Sequence, residues 1–368
     1  MSVYITSTGH HLPGSPIDNT EIENVLGLIN GKPSRLKAKI LAANGILKRH
    51  YAIDAAHNTL ISNEEMAAMA GKHCLESSPV ELNEISLLSC ATSQGDMVLP
   101  GFASMVQAQL DIPEVEINSS HGICSCSMMA LKNAYLNLKC GEHETALVIA
   151  SELVSRLFKA ERYEQLGNKK MDFNAEFLRW MLSDGAGSCL IENKQRGQSF
   201  RIDWIKSFSH ADAYPTCMSV GKPSDSNDQR TWQDFASYAE AEKAGALLLR
   251  QDVRLLDNIV KLGVHGFIKL IEANMIKPKE VDHVLCHFSS AHFKSKIFAL
   301  MVQAGISIPE ERWYTNLYTR GNTGCASILI MLDEFRRTQT FETGQTIICM
   351  VPESGRFNVA YMKLTIVE

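Results

Sequence analysis

The stretch that decides the fold is H121-GICSCSMMALKNAYLNLKCG-141, followed at once by E144-TALVIASE-152. Cys124 and Cys126 stand two apart where a Gly-containing turn opens a helix predicted over 125–139. Leu131, Ala134, Tyr135 and Leu138 share one face of it. Lys139 in the last turn and Gly141 just beyond it mark its end. The apolar run 144–152 then reads as a strand buried on both faces. Upstream, 84–92 (EISLLSCAT) reads as another buried strand, 101–112 as a helix and 115–118 as a short strand. Strand, helix and strand in this rhythm predict an α/β protein with a parallel layer.

The rhythm returns. SPVELNEISLLSCATSQ (78–94) resembles KPKEVDHVLCHFSS (277–290). The Cys124 segment through Glu152 resembles TGCASILIMLDEFRRTQTFETGQTIICMVPE (323–353). Both members of the second pair run from a small-residue, Cys-containing turn through a helix and a glycine into a buried strand. The expectation is an internal duplication, with halves 1–195 and 196–368 joined near 192–200; chance similarity of α/β units is the alternative. Two stretches break the rhythm, 154–181 and 207–235, and read as additions able to cover a site.

Composition narrows the function classes. The 368 residues carry a net charge of −5, so no basic footprint points to nucleic acid. No run of 18 apolar residues predicts a membrane span. The start, MSVYITSTG, lacks the basic and apolar regions of a secretory signal. Ten cysteines, dispersed apart from the 124/126 pair, suit neither a disulfide scaffold nor a zinc site. Reduced thiols in a cytoplasmic protein without metal or cofactor are expected.

A thiol at a helix N-terminus faces unpaired N–H groups and the positive helix end, which would lower its pKa. Cys124 is therefore the candidate nucleophile for a thioester, and Cys126, inside the first turn, the packing residue. Two ordinary buried cysteines are the competing reading. His287 ends the predicted strand of LCHFSS, and Asn322 sits in a Gly-bracketed turn before a helix. The duplication would bring both toward Cys124. His283 and His292 are weaker candidates.

These segments, with GHHLP near the start, NGILKRHYAID (44–54), CATSQGDMVLPGFASMVQAQLDI (90–112), LSDGAGSCLIE (182–192), GNTGCASILIMLDE and the terminal ESGRFNVAYMKL, carry a family resemblance. Over nearly its whole length the chain resembles β-ketoacyl-acyl carrier protein synthase III. The resemblance implies a thiolase-like fold, a duplicated five-layer αβαβα architecture. It implies a cytoplasmic acyltransferase that loads an acyl group from acyl carrier protein on Cys124 and condenses it with a second thioester. By the same resemblance, His287 and Asn322 donate hydrogen bonds to that thioester's oxygen. The backbone N–H groups of Cys124 and Gly355 form an oxyanion hole. A homodimer is implied, with Leu99 lining the partner's acyl pocket and Lys294 and Lys296 docking the carrier.

The departures also inform. Phe288, Ser289 and Ser290 follow the histidine where the family has Gln-Ala-Asn, and Ser354, Gly355 and Arg356 stand for a glycine triplet. Lys39 and Ala43 replace the Trp and Arg that hold coenzyme A, which favours carrier-bound donors. The unusual histidine context and the 154–181 stretch resemble the dialkylresorcinol- and cyclohexanedione-forming subgroup, whose second unit is a β-ketoacyl thioester. Such chemistry needs a base. Glu152, at the end of the strand after the Cys helix, is that candidate if burial raises its pKa; a carboxylate merely bonded to a loop is the alternative. Asp96 is a weaker carboxylate candidate. An ordinary synthase using malonyl-carrier protein and a non-catalytic subunit of a heterodimer are the competing functions.

Overall fold

The computed structural model describes residues 1–166, 173–225 and 227–368. Residues 167–172 of the 154–181 stretch and residue 226 of the 207–235 stretch lie outside the described residues.

One sheet of ten strands organises the chain. Its strands are β1 (Tyr4–His11), β2 (Leu87–Thr92), β3 (Glu116–His121), β4 (Thr145–Glu152), β5 (Gly185–Glu192), β6 (Ser199–Ser209), β7 (His283–Cys286), β8 (Trp313–Tyr314), β9 (Thr346–Glu353) and β10 (Asn358–Val367). Their order is β8-β7-β9-β10-β6-β1-β5-β4-β2-β3. Outward from the centre, one side reads β1-β5-β4-β2-β3 and the other β6-β10-β9-β7-β8. Every strand thus has a counterpart five places later in the chain. The sides meet where Tyr4 and Ile5 pair antiparallel with Arg201 and Phe200.

The expected parallel layer is present but incomplete. β2 pairs parallel with both β3 and β4, and β7 with both β8 and β9. The inner strands are antiparallel. Mixed pairing follows from the β4–β5 and β9–β10 connections, which return the chain beside the strand it has just left.

Six helices complete the layers: α1 (Asn63–Glu76), α2 (Phe102–Leu110), α3 (Cys126–Cys140), α4 (Asp257–Glu272), α5 (Ala291–Gln303) and α6 (Ser327–Thr338). Strand periodicity distributes them. Ala146, Val148 and Ala150 of β4 join a core with α3 and α6, whereas Leu147 and Ile149 face α1 and α2. On the other side Ile347, Cys349 and Val351 of β9 join the α3–α6 core, while Ile348 and Met350 face α4 and α5. The result is helix, sheet, helix, sheet, helix. A strand covered on both faces has no solvent side, which is why these strands read as unbroken apolar runs. α3 and α6 form the central layer, and nine consecutive residues of α6, Ser327–Phe335, are buried.

Two glycines set the layer spacing. A Cβ on Gly9 would lie 2.4 Å from the Cys74 backbone nitrogen of α1; one on Gly187 would lie 2.6 Å from the Ile330 nitrogen of α6. They sit on neighbouring strands, in adjacent registers. α3 starts one residue later than expected and ends on Gly141 at φ 84°, whose N–H caps Asn137 and Leu138 carbonyls. A further cluster, including Ile22, Leu26, Tyr51, Phe158, Trp180 and Leu248, roofs the centre of the molecule and contains much of the 154–181 stretch. Among the described residues, no helix is long and apolar enough to cross a membrane.

Gly187→Ala is expected to cost about 1–3 kcal/mol by forcing α6 off the sheet. Denaturant unfolding checks this: a midpoint equal to wild type would show that the layers can part there.

Candidate active site

A cavity of about 300 Å³ opens at the N-terminal end of α3. Cys124, Glu152 and Asn322 all line it, so three of the sequence candidates, drawn from both sides of the sheet, share one space. Its walls are mostly apolar. Val154, Leu157, Phe177, Leu178 and Met181 come from the first additional stretch, Met218, Ser219 and Val220 from the second. Both stretches therefore shape the cavity as well as cover it.

Cys124 lies in the turn between β3 and α3 and is 5% exposed. The Cys126 N–H closes this turn on the Ile123 carbonyl at 3.0 Å. The thiol pKa moves up, opposite to the sequence expectation. Burial is the main cause, followed by the Glu353 and Glu152 carboxylates. The helix end is there, but desolvation and the two nearby carboxylates outweigh it. The resting side chain is a thiol, not a thiolate, and Cys126 is fully buried beside it.

Asn322 is buried, and its Oδ1 accepts the Gly324 N–H at 3.0 Å. Its backbone carbonyl accepts the Ser183 N–H at 2.8 Å. With Oδ1 engaged, the amide is oriented and Nδ2 is left as the donor. The sequence assigned a donor's role to this residue, and the local bonding leaves that group free.

His287 stands just outside the main cavity. It lines a small neighbouring cavity with Phe288 and Pro352, and Ser289 and Phe293 belong to both spaces. Its backbone N–H is held by the Met350 carbonyl at 2.9 Å. Burial lowers its pKa to about 4, so the ring is neutral near pH 7. Nε2 is buried with no hydrogen-bond partner among the described residues. An unpaired ring nitrogen costs free energy when buried, and a ligand oxygen or thiol within reach would recover it.

Glu152 ends β4, 1% exposed. One carboxylate oxygen accepts the Ser93 and Cys325 N–H groups at 3.2 and 3.3 Å, the other the Ser93 hydroxyl at 2.5 Å. Burial raises its pKa despite these bonds. A carboxylate presents about four lone-pair sites, and the Cys325 thiol joins these three donors in hydrogen bonding to it. Gly324, at φ 55°, packs directly on it, with a built Cβ 3.0 Å from Glu152 Cγ.

The remaining candidates are more peripheral. Gly355 is buried against Ile123, the residue before Cys124, and its carbonyl accepts from Cys217 N–H at 2.8 Å. Asp96 does not line the cavity: it accepts the Asn63 N–H at 2.8 Å at the start of α1 and pairs with Arg156. Leu99 also lies off the cavity, 81% exposed with Val98 at the tip of its loop. Lys294 and Lys296 are spent in ion pairs with Glu310 (2.8 Å) and Asp257 (2.5 Å).

Sequence reasoning missed Glu353, which ends β9 as Glu152 ends β4. Its signal was present, because the internal repeat puts the two glutamates opposite each other. Gln251 was also missed; it lines the cavity and donates to Ser354 Oγ at 2.7 Å. Among the described residues one cluster has metal-ligand chemistry: His10, His73 and Asp333. Asp333 is already filled by Thr8, His10 and Arg337, whose charge opposes a cation.

Known proteins share this fold. Residues 271–355 match the family described as 3-oxoacyl-[acyl-carrier-protein (ACP)] synthase III C terminal. A beta-ketoacyl-[acyl-carrier-protein] synthase III from Streptococcus uberis is 23% identical over 330 residues, 90% of this chain and 88% of the relative. AbyA1, a tetronic acid condensing enzyme, has the same fold at TM-score 0.79 and 19% identity, over 99% of each chain. OleA from Xanthomonas campestris, solved with lauric acid and lauroyl-CoA, follows at 0.76 and 17%, over 99% of each. The 3-oxoacyl-[acyl-carrier-protein] synthase III from Aquifex aeolicus VF5 gives 0.73 and 21%, over 99% of each. The fold is thiolase-like, as expected.

The depressed His287 pKa has a consequence for stability. An unfolded histidine takes up its proton near pH 6.5, whereas the buried one does so only near 4. Stability from this site is present above 6.5 and lost as pH falls to about 4, by about 3 kcal/mol at most. Unfolding measured from pH 7 to 4 should show a shallower loss in His287→Asn; equal slopes would contradict the burial of the ring.

Proposed function

We propose that the chain is a ketosynthase III-like condensing enzyme, an acyltransferase that forms a carbon–carbon bond by joining two acyl units held as carrier-protein thioesters. The observation that carries this reading is one apolar cavity shared by the Cys124 thiol, the free amide of Asn322 and the Glu152 carboxylate.

In the first half-reaction the Cys124 thiol gives up its proton, and its sulfur attacks the acyl thioester carbonyl. Neutral His287, whose buried Nε2 has no partner among the described residues, is assigned as the acceptor of that proton. The tetrahedral oxyanion is held by the backbone N–H groups of Cys124 and Gly355. Collapse leaves acyl-Cys124 and releases the carrier thiol with the proton. In the second, the incoming thioester oxygen takes hydrogen bonds from Asn322 Nδ2 and His287. An enolate forms, and its α-carbon attacks the acyl-cysteine carbonyl. The Cys124 sulfur departs as a thiolate and takes up the proton that was removed from the α-carbon when the enolate formed.

The second unit is proposed to be a β-ketoacyl thioester, leading to a cyclohexanedione or dialkylresorcinol ring precursor. No carbon dioxide leaves in that case, so the α-proton needs an acceptor. Glu152 lines the cavity and has a raised pKa, both suited to a base. The apolar walls suit alkyl chains. Lauric acid and lauroyl-CoA bind the OleA relative, and AbyA1 is a tetronic acid condensing enzyme; both lend support by likeness.

The wider arrangement remains part of the proposal. The mirrored strand order supports a duplication with halves 1–195 and 196–368. The exposed loop tip at Met97, Val98 and Leu99 supports a homodimer in which this loop meets the partner. Lys294 and Lys296 would dock an acyl carrier protein by exchanging their surface partners, which such weak pairs permit. A cytoplasmic location agrees with ten free cysteines.

Turnover with acyl-carrier protein and either second substrate tests the reading. Product from a β-ketoacyl-carrier protein without carbon dioxide release is expected. Glu152→Gln should lower that rate by about 10²–10⁴ while Cys124 still loads. Product only from malonyl-carrier protein would return the chain to ordinary decarboxylative condensation; no product from either would favour a non-catalytic subunit.

A further inference from the structure

The turn that presents Cys124 is held from the far side of the sheet. Glu353 Oε2 accepts the Ser125 N–H at 3.1 Å and the Ser125 hydroxyl at 2.5 Å. Asn358 Nδ2 in turn donates to that hydroxyl oxygen at 2.8 Å, which fixes the direction of its hydrogen toward Glu353. The backbone N–H of Ile123 also favours the Glu353 charge, so the carboxylate engages the residues on both sides of Cys124. Glu353 is two residues before Gly355, and Gly355 packs on Ile123, with a built Cβ 2.8 Å from its Cδ1. One short segment, 353–355, thus grips the nucleophile's turn twice.

We infer that Glu353 is a positioning residue for Cys124: acting through Ser125, it fixes the turn that presents the thiol to an acyl donor. This rests on reading Cys124 as the nucleophile. Glu353 itself does not line the cavity, so it acts through the turn and through its charge and not by contact with substrate.

The charge makes the role separable from plain scaffolding. The groups facing Cys124 are Glu353 from β9, Glu152 from β4 and Cys126 from α3, with no cation among them; His121 shares the cavity wall, and His287 lies in the adjoining space. A carboxylate this close holds the thiol protonated to higher pH. It positions the sulfur and also restrains it, so that deprotonation is tied to the arrival of a donor.

The test is the pH profile of iodoacetamide alkylation at Cys124, read by peptide mapping on the full chain, together with the rate of acyl loading from an acyl-carrier protein. Glu353→Gln keeps an acceptor for Ser125 and removes the charge. Its profile should move down by about one pH unit, which is about tenfold faster alkylation below the midpoint. Glu353→Ala removes both, and its acyl loading should fall at least about tenfold while the glutamine variant retains most of it. Ser125→Ala, the mildest change, should load several-fold more slowly with an unmoved alkylation midpoint. A Glu353→Gln profile superimposed on wild type, or wild-type loading in Ser125→Ala and Glu353→Gln together with an unmoved midpoint, overturns the inference. If wild-type Cys124 takes no acyl group yet its alkylation still shifts in Glu353→Gln, the nucleophile reading fails and the effect of Glu353 on the thiol stands.

Discussion

Two carboxylates, Glu152 buried and Glu353 half-buried, cross the molecule, and the site depends on them. Glu152 ends β4 and binds the turn that follows Asn322, through Cys325 and the packing of Gly324. Glu353 ends β9 and binds the turn that carries Cys124, through Ser125. Each strand end therefore holds the functional turn belonging to the opposite side of the sheet. Hydrogen bonds to a charged acceptor contribute about 1.5–3 kcal/mol each, and the same groups left without partners would cost as much.

This bracing explains why the chemistry is gathered at the centre of a five-layer protein. α3 and α6 are enclosed between the two sides, and their N-terminal turns meet at one cavity. Enclosure excludes water and supplies an apolar wall for acyl chains. It also carries an electrostatic consequence: the cysteine stays protonated and the histidine neutral. A protonated thiol and a neutral imidazole give a resting state in which neither group is ionised until a thioester enters. The free donor of Asn322 and the unpaired Nε2 of His287 are the polar groups still waiting for partners.

Much of this was legible in the chain. Periodicity found β2, β4, α2 and α3, because buried strands and amphipathic helices leave opposite signatures. The repeat between 124–152 and 323–353 foretold strand counterparts, since the same layer imposes the same pattern twice. Antiparallel inner strands were not legible: pairing direction depends on where a connection returns, which apolar runs do not encode. The thiol's pKa was misjudged because helix dipole is visible in sequence, while carboxylates arriving from distant strands are not. Asp96 looked like a site group from its loop, yet its oxygens cap α1 and pair with Arg156. Lys294 and Lys296 read by resemblance as carrier-docking residues, and the fold sets acidic residues beside each. Glu353 was readable only by comparing the chain with itself.

The central claim is that Cys124 carries the acyl group. Incubation with an acyl-carrier protein donor, followed by proteolysis and mass spectrometry of the 121–141 region, measures it directly. The account predicts one acyl mass on Cys124, none on Cys126, and none anywhere in Cys124→Ala. An adduct on another residue, or no adduct in the intact protein, would contradict it.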